Sequence, residues 1–237
     1  MSNKDKLVNN ALNLLELKKL NSTALFKESI KRNMKISKKR AIFLIFLFLF
    51  CFYVLFRIVF QKTPAISIIS DLTVNVNTVI IPIFAVLITG YAIFQALANE
   101  NTITNMLTVV NEGEDKISKF AIYNLYFFGV ICSYLSLIII NFILLVVFKY
   151  LPADWSNPFF AETTNEIVAA ILISMYVTVL INFMIEVKSY VYNLFQVFLT
   201  NAIESAITRV KSVEEKPHTA PAERTNRRLR KKGKRKR

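Results

Sequence analysis

Residues 41 to 56 read AIFLIFLFLFCFYVLF, a run of sixteen positions without a charged side chain. Three more charge-free windows follow, at residues 72–99, 120–148 and 167–185. A helix needs about 20 mostly apolar residues to cross the hydrocarbon core of a bilayer. Over the whole chain of 237 residues, 54% are apolar and the mean hydropathy is +0.43. The sequence therefore predicts an all-α polytopic membrane protein with four transmembrane helices, at about 41–60, 73–97, 120–148 and 167–185.

The cations are distributed asymmetrically around these four helices. Twenty-seven of the 30 Lys and Arg residues lie before the first helix, between the second and third, or after the fourth. The other three are Arg57, Lys62 and Lys149. Because cationic segments are retained in the cytoplasm, this pattern predicts that both termini are cytoplasmic and that the net charge of +14 is mainly a topology signal. Richness in Lys, Asn and Ile favours a bacterial source and therefore a cell inner membrane.

The polar remainder of the chain is expected to form three further parts. Residues 1–40 are a basic amphipathic arm, which can lie on an anionic membrane surface or serve only to set orientation. Residues 41–186 hold the transmembrane domain. Residues 187–213 continue the fourth helix as an amphipathic cytoplasmic helix, since no Pro or Gly occurs between the start of that helix and Pro217. Residues 214–237 are predicted to be a disordered polybasic tail.

The loop between the second and third helices predicts a helical hairpin. Ile103, Leu107 and Val110 continue the spacing of the second helix for about three turns, and Asp115 or Ser118 can cap the third helix. The apolar face of residues 187–213 then needs a partner. Two alternatives are open: packing against this extension and the N-terminal arm, or self-association as a bundle below the membrane.

The most specific polar pattern lies in the fourth helix, where small or polar residues recur every fourth position. Each step of four drifts by about 40° around the helix, so the pattern forms a slowly winding strip with a carboxylate near each end. The strip is either a helix-association surface or, in an oligomer, the lining of a cation-selective pore. Its members are Glu166, Ala170, Ser174, Thr178, Asn182 and Glu186.

Motifs for chemistry are absent from the sequence. The one histidine, His218, lies in the polar tail, which excludes His-based intramembrane metalloprotease sites, and no Asp lies inside a membrane window. No nucleotide fingerprint is present. We therefore expect no catalytic residues, no metal site and no cofactor.

The C-terminal tail carries nine cations in its last eleven residues. Contact with anionic lipid is the expected role, and nucleic-acid binding is disfavoured because no aromatic side chains are interleaved for base stacking. The cations are Arg227, Arg228, Arg230, Lys231, Lys232, Lys234, Arg235, Lys236 and Arg237.

Two functions fit these expectations. The first is a non-enzymatic, homo-oligomeric membrane protein that conducts ions or perturbs the bilayer, as small toxins and phage-defence effectors do. The alternative is a membrane sensor or scaffold that recruits a cytoplasmic protein partner through the basic arm, the cytoplasmic helices and the tail. A carrier or immunity-type factor has little positive support in the sequence.

Overall fold

The computed structural model describes residues 3–33, 36–109 and 117–214. Over these residues the fold is all-helical, which confirms the all-α part of the prediction, and four helices are long and apolar enough to cross a membrane. Insertion of these helices into a membrane stays a prediction. The side of the membrane on which each terminus lies stays a prediction. The polybasic tail, Asp115 and Val110 lie outside the described residues.

Seven α-helices are present in the described part of the chain. One π-helical turn, Leu55–Val59, continues the third of them and brings that candidate span to 22 residues. The third, fourth, sixth and seventh helices are the candidate spans, and each covers one of the predicted transmembrane helices. In chain order the helices are α1 (Asn3–Lys18), α2 (Ser22–Asn33), α3 (Lys38–Val54), α4 (Ala65–Leu97), α5 (Glu100–Thr108), α6 (Lys119–Tyr150) and α7 (Glu162–Glu214).

The predicted extension of the second span through Ile103 and Leu107 is not continuous with that span, so the expectation of one unbroken helix is wrong. α4 ends at Leu97, Ala98 has φ −74° and ψ 65°, and helix resumes as α5. The break follows from Asn99, whose side-chain oxygen accepts a hydrogen bond from the Thr102 amide (2.9 Å) and caps α5. Asn favours caps over helix interiors because its amide competes for backbone hydrogen bonds. The predicted cap of the third span is confirmed, since the Ser118 hydroxyl accepts from the Ala121 amide (3.3 Å).

The spans α4, α6 and α7 pack together, and α3 lies against α7 at the edge of this bundle. The N-terminal helices pack on the bundle as well, α1 against α5 and α2 against α6. Two buried hydrogen bonds hold them, from Asn10 Nδ2 to the Leu107 carbonyl and from Ser29 Oγ to the Leu125 carbonyl, both 2.6 Å. The arm, α5 and the second half of α7 therefore meet at one end of the bundle, which we call the basic end.

An aromatic core fills the bundle near the basic end. Phe94 and Phe127 are fully buried there and Tyr190 is 1% exposed. The close packing depends on Gly90, because a Cβ at that position would lie 2.9 Å from the Tyr190 ring. Gly90 therefore allows α7 to approach α4 closely at this level.

Candidate functional site

The polar side chains of the bundle are arranged around α7, which contacts α3, α4 and α6. The structure places the predicted strip largely between helices of one chain. Ala170 and Ser174 are fully buried and Glu186 is 6% exposed, whereas Glu166, Thr178 and Asn182 are half-buried. This arrangement fits the helix-association alternative for the strip.

The middle of the strip makes few contacts through its hydroxyl groups. Thr178 Oγ1 donates to the carbonyl of Ser174 in its own helix (2.7 Å). The Ser174 hydroxyl is buried and has no hydrogen-bond partner among the described residues. A pore lined by these groups stays a prediction, and it would require the helices that cover Ser174 to separate.

The end of the strip nearest the basic end is a buried polar group of four side chains, here called the Glu186 cluster. Arg40, in the first turn of α3, donates from Nη1 to Glu186 Oε2 (2.5 Å). Its Nε and Nη2 donate to the side-chain oxygen (2.8 Å) and the carbonyl oxygen (2.7 Å) of Asn182. From α6, the Tyr126 hydroxyl donates to Glu186 Oε1 (2.8 Å). The cluster therefore joins α3, α6 and α7.

Both charges of the Glu186 cluster are largely removed from solvent. The side chain of Arg40 is 16% exposed and that of Glu186 is 8% exposed. A buried carboxylate without partners is strongly unfavourable, whereas charge-assisted hydrogen bonds to both of its oxygens satisfy it. Because α3 buries Leu44 but exposes most of its other large apolar residues, this ion pair is the main specific contact that positions α3 on the bundle.

A second polar cluster lies deeper in the spans and is centred on Asn141 of α6, which is fully buried. Asn141 Nδ2 donates to the carbonyl of Thr73 (3.0 Å) and to Oδ1 of Asn77 (2.6 Å), both in α4. Its Oδ1 accepts a hydrogen bond from the Tyr176 hydroxyl of α7. The Asn141 cluster therefore links the three central spans, and it lies about nine residues, or ~14 Å, from the end of α6.

Two more tyrosines bond to main-chain carbonyls across helix interfaces. The Tyr134 hydroxyl of α6 donates to the Phe183 carbonyl of α7 (2.8 Å). The Tyr190 hydroxyl of α7 donates to the Leu87 carbonyl of α4 (2.5 Å). A helical carbonyl keeps a second lone pair after its intrahelical bond, so such contacts satisfy a buried hydroxyl without a polar side-chain partner.

The residues that bond to the strip, Arg40 and Tyr126, were not predicted from the sequence. Arg40 is one of eleven cations in residues 1–40, and nothing in the sequence distinguishes it from the others. The tyrosines could have been predicted to form hydrogen bonds between helices, since a buried Tyr hydroxyl needs a hydrogen-bond partner. Tyr126 and Tyr134 are eight residues apart, a spacing that places them on one side of α6.

Beyond the Glu186 cluster, one side of α7 packs against the rest of the basic end. Asn201 Oδ1 accepts from Asn99 Nδ2 and from Thr102 Oγ1, both at 2.9 Å. Glu204 accepts from the side-chain amide of Asn105. This side matches the expected packing against the extension of the second span, but α1 and α2 pack on α5 and α6 instead.

The other side of α7 beyond Glu186 is apolar and exposed; we call it the outer face. The apolar face predicted for residues 187–213 is divided between the two sides of the helix. Val187, Tyr190 and Leu194 pack inward, whereas Val191 and Phe198 do not. Phe195, Leu199, Ile203, Ala206 and Val210 are all exposed. The large apolar residues of the outer face are Val191, Tyr192, Phe195, Phe198, Leu199, Ile203, Ile207 and Val210, exposed by 42% to 61%.

Within residues 3–33, 36–109 and 117–214, no group of three or more His, Cys, Asp or Glu side chains is placed to hold a metal ion. Cys51 and Cys132 are free thiols. Comparisons with protein-family models, curated proteins and solved structures find no match to this chain. The function is therefore inferred from the sequence and structure of this chain alone.

Proposed function

We propose that this protein is a non-enzymatic membrane scaffold that self-associates through the outer face of α7 and so presents its basic arms together at the membrane surface. The observation that carries the proposal is the outer face itself. It extends from Val191 to Val210, past the Glu186 cluster, while the opposite side of the same helix is packed. A long exposed apolar surface on a helix that leaves the membrane favours a protein partner.

The length of the outer face fits a helical partner. From Glu186 to Val210 the helix rises about 36 Å at ~1.5 Å per residue, which takes it well past the end of the spans. Lipid acyl chains cover apolar residues within the spans, but they do not reach this part of α7. The partner must therefore come from outside the bilayer core.

The spacing of the outer face favours a second copy of this chain as that partner. Tyr192, Phe195, Leu199, Ala202 and Ala206 recur at the alternating steps of three and four that two associating helices share. The two alanines allow close approach of the helix axes. In a twofold dimer the same face serves both chains, so an apolar face is automatically matched by an identical one.

The test is the mass of the full chain in a neutral detergent, measured by light scattering during size-exclusion chromatography. We expect an oligomer that dissociates to monomers in the double variant Phe195→Glu with Leu199→Glu. Thr208→Glu is the matched control, since Thr208 is exposed on the same helix but lies about half a turn around from Leu199. A monomeric wild-type chain, or a double variant that keeps the wild-type mass, would contradict the proposal.

An ion-conducting or membrane-perturbing effector is the second candidate, and one observation favours it. Asn75 is exposed on α4 near the start of the predicted transmembrane helix 73–97, beside a lateral crevice of about 170 Å³ between α4, α6 and α7. An amide that faces lipid is unfavourable, so an assembly that gives Asn75 polar neighbours or water is favoured over the lone chain.

Cation flux into liposomes that contain the protein distinguishes the two candidates. A scaffold passes no current above that of empty liposomes. A pore lined by α4 would lose its current in Asn75→Leu, and a pore lined by the strip would lose it in Thr178→Leu or Asn182→Leu. Flux that all three variants leave unchanged would remove both pore geometries.

A further inference from the structure

We infer that a cavity at the basic end binds one anionic phospholipid, with its acyl chain on α6 and its head group beside Lys18. The cavity has a volume of about 310 Å³ and lies between α1, α2, α4 and α6. This volume is at the lower end of the range of small-molecule sites, so the cavity takes the phosphate and part of one acyl chain while the rest of the lipid stays outside it. It is separate from the tail cations for which lipid contact was expected, and it does not depend on self-association.

The lining of the cavity suits an amphiphile because it combines polar and apolar side chains. On α6, the amide of Asn124 and the ring of Phe128, one turn further along the helix, both line the cavity. On α1, Lys18 lines it beside Leu14 and Leu17. A ligand that fills the cavity must therefore be apolar at one end and polar at the other.

The apolar part of the lining comes from three helices. Leu17 of α1, Leu25 of α2 and Leu125 of α6 contribute to it, and Leu125 is 4% exposed. Because these side chains are about as apolar as lipid tails, an acyl chain can pass from the bilayer to this lining without an unfavourable change of environment. The chain would enter from the bilayer along Phe128.

The polar part of the lining carries one positive charge and hydrogen-bond donors. Lys18, in the last turn of α1, supplies an ammonium group. Asn124 accepts at Oδ1 from the hydroxyl of Tyr91 (2.9 Å) and from Gln95 Nε2 (3.4 Å), which directs its own amide hydrogens to another acceptor. An ammonium and an amide donor together select a head group with a negative phosphate and no balancing cation.

The test is native mass spectrometry of the full chain in a neutral detergent, with phosphatidylglycerol, phosphatidylcholine and oleate added in turn. We expect one tightly held phosphatidylglycerol, and about fivefold weaker binding of it in Lys18→Gln, as for the loss of one membrane-proximal cation. Lys19→Gln is the matched control, because Lys19 is the next residue, is exposed and does not line the cavity. Equal binding by the Lys18 and Lys19 variants would overturn the inference.

A variant that fills the cavity provides a second test. Leu17→Trp is expected to reduce the binding of both phospholipids at least tenfold while the helical circular dichroism stays at the wild-type value. If Leu17→Trp lowers helicity, Lys18→Glu replaces it, and phosphatidylglycerol affinity must then fall further than in Lys18→Gln. Unchanged affinity in the folded filling variant would contradict the site. Oleate could instead bind as tightly as phosphatidylglycerol and lose its affinity in Lys18→Gln. That result would assign the cavity to free fatty acids and contradict a phospholipid as its ligand.

Discussion

The two halves of α7 are packed in different ways. Up to Glu186 the helix meets α3, α4 and α6, and Tyr176, Asn182 and Glu186 bond to other helices of the same chain through the Asn141 and Glu186 clusters. Beyond Glu186 it is packed on one side and leaves large apolar residues such as Phe195 exposed on the other. Lipid cannot satisfy a polar group and water cannot cover an apolar one. Within the candidate spans most of the polar contacts of α7 are therefore made inside the chain, whereas beyond Glu186 an apolar surface stays uncovered by the described residues.

The largest loss of stability is expected from Arg40→Ala, which leaves the carboxylate of Glu186 buried without its cation. The free energy of unfolding should fall by about 3–5 kcal/mol, the usual consequence of breaking a buried ion pair. Unfolding of the purified protein by dodecyl sulfate in mixed micelles, followed by circular dichroism, measures it. Lys39→Ala is the control, because Lys39 is the preceding residue and is exposed.

A double variant separates the ion pair from the packing of Arg40. Replacing Arg40 and Glu186 by Met and Leu removes both charges, so most of the stability lost in Arg40→Ala should return. If Arg40→Ala and Lys39→Ala were equally stable, the Glu186 cluster would not hold α3 on the bundle.

A smaller loss is expected when the Asn141 cluster is removed. Asn141→Leu keeps the branched shape and the number of side-chain heavy atoms but leaves the Tyr176 hydroxyl and the side chain of Asn77 without this partner. The same unfolding measurement should show a loss of about 2 kcal/mol. Ser136→Ala on the same helix is the control, because the Ser136 hydroxyl is exposed and bonds to its own helix at the Cys132 carbonyl (2.9 Å). A variant as stable as this control would mean that the cluster does not contribute to the association of the spans.

The smallest effect is expected on the outer face of α7. Phe195→Ser should change the stability of the monomer by no more than about 0.5 kcal/mol, measured in micelles dilute enough to hold one chain each. Val197→Ser, two residues on and 1% exposed, should cost about 2–4 kcal/mol. A large loss of monomer stability in Phe195→Ser would indicate that this side of α7 is covered within the chain.

The spans could be predicted from the sequence because apolar windows of this length have few alternatives. The windows that begin at residues 41, 72, 120 and 167 all lie in long helices of the structure. The break at Asn99 was not predicted, since the apolar spacing of Ile103 and Leu107 persists across it and one capping residue decides whether the helix is continuous.

The candidate site was only half predictable. The period of four in α7 identified Asn182 and Glu186, because helical spacing alone places residues on one strip. Arg40 contacts both of them although it is more than 140 residues away in the sequence, and no local sequence pattern predicts such a contact. The role of Tyr176 depends in the same way on where Asn141 of another helix lies.

The sequence by itself determined that the chain is helical and has four helices long and apolar enough to span a membrane, because both depend on local hydropathy and helical periodicity. It also indicated that α7 runs far past its span. Only the tertiary structure decided which polar groups meet, that the N-terminal arm packs on α5 and α6, and that one face of α7 stays uncovered. These features depend on contacts between distant segments, and the free energy of such contacts is set by the neighbours that each side chain meets in three dimensions.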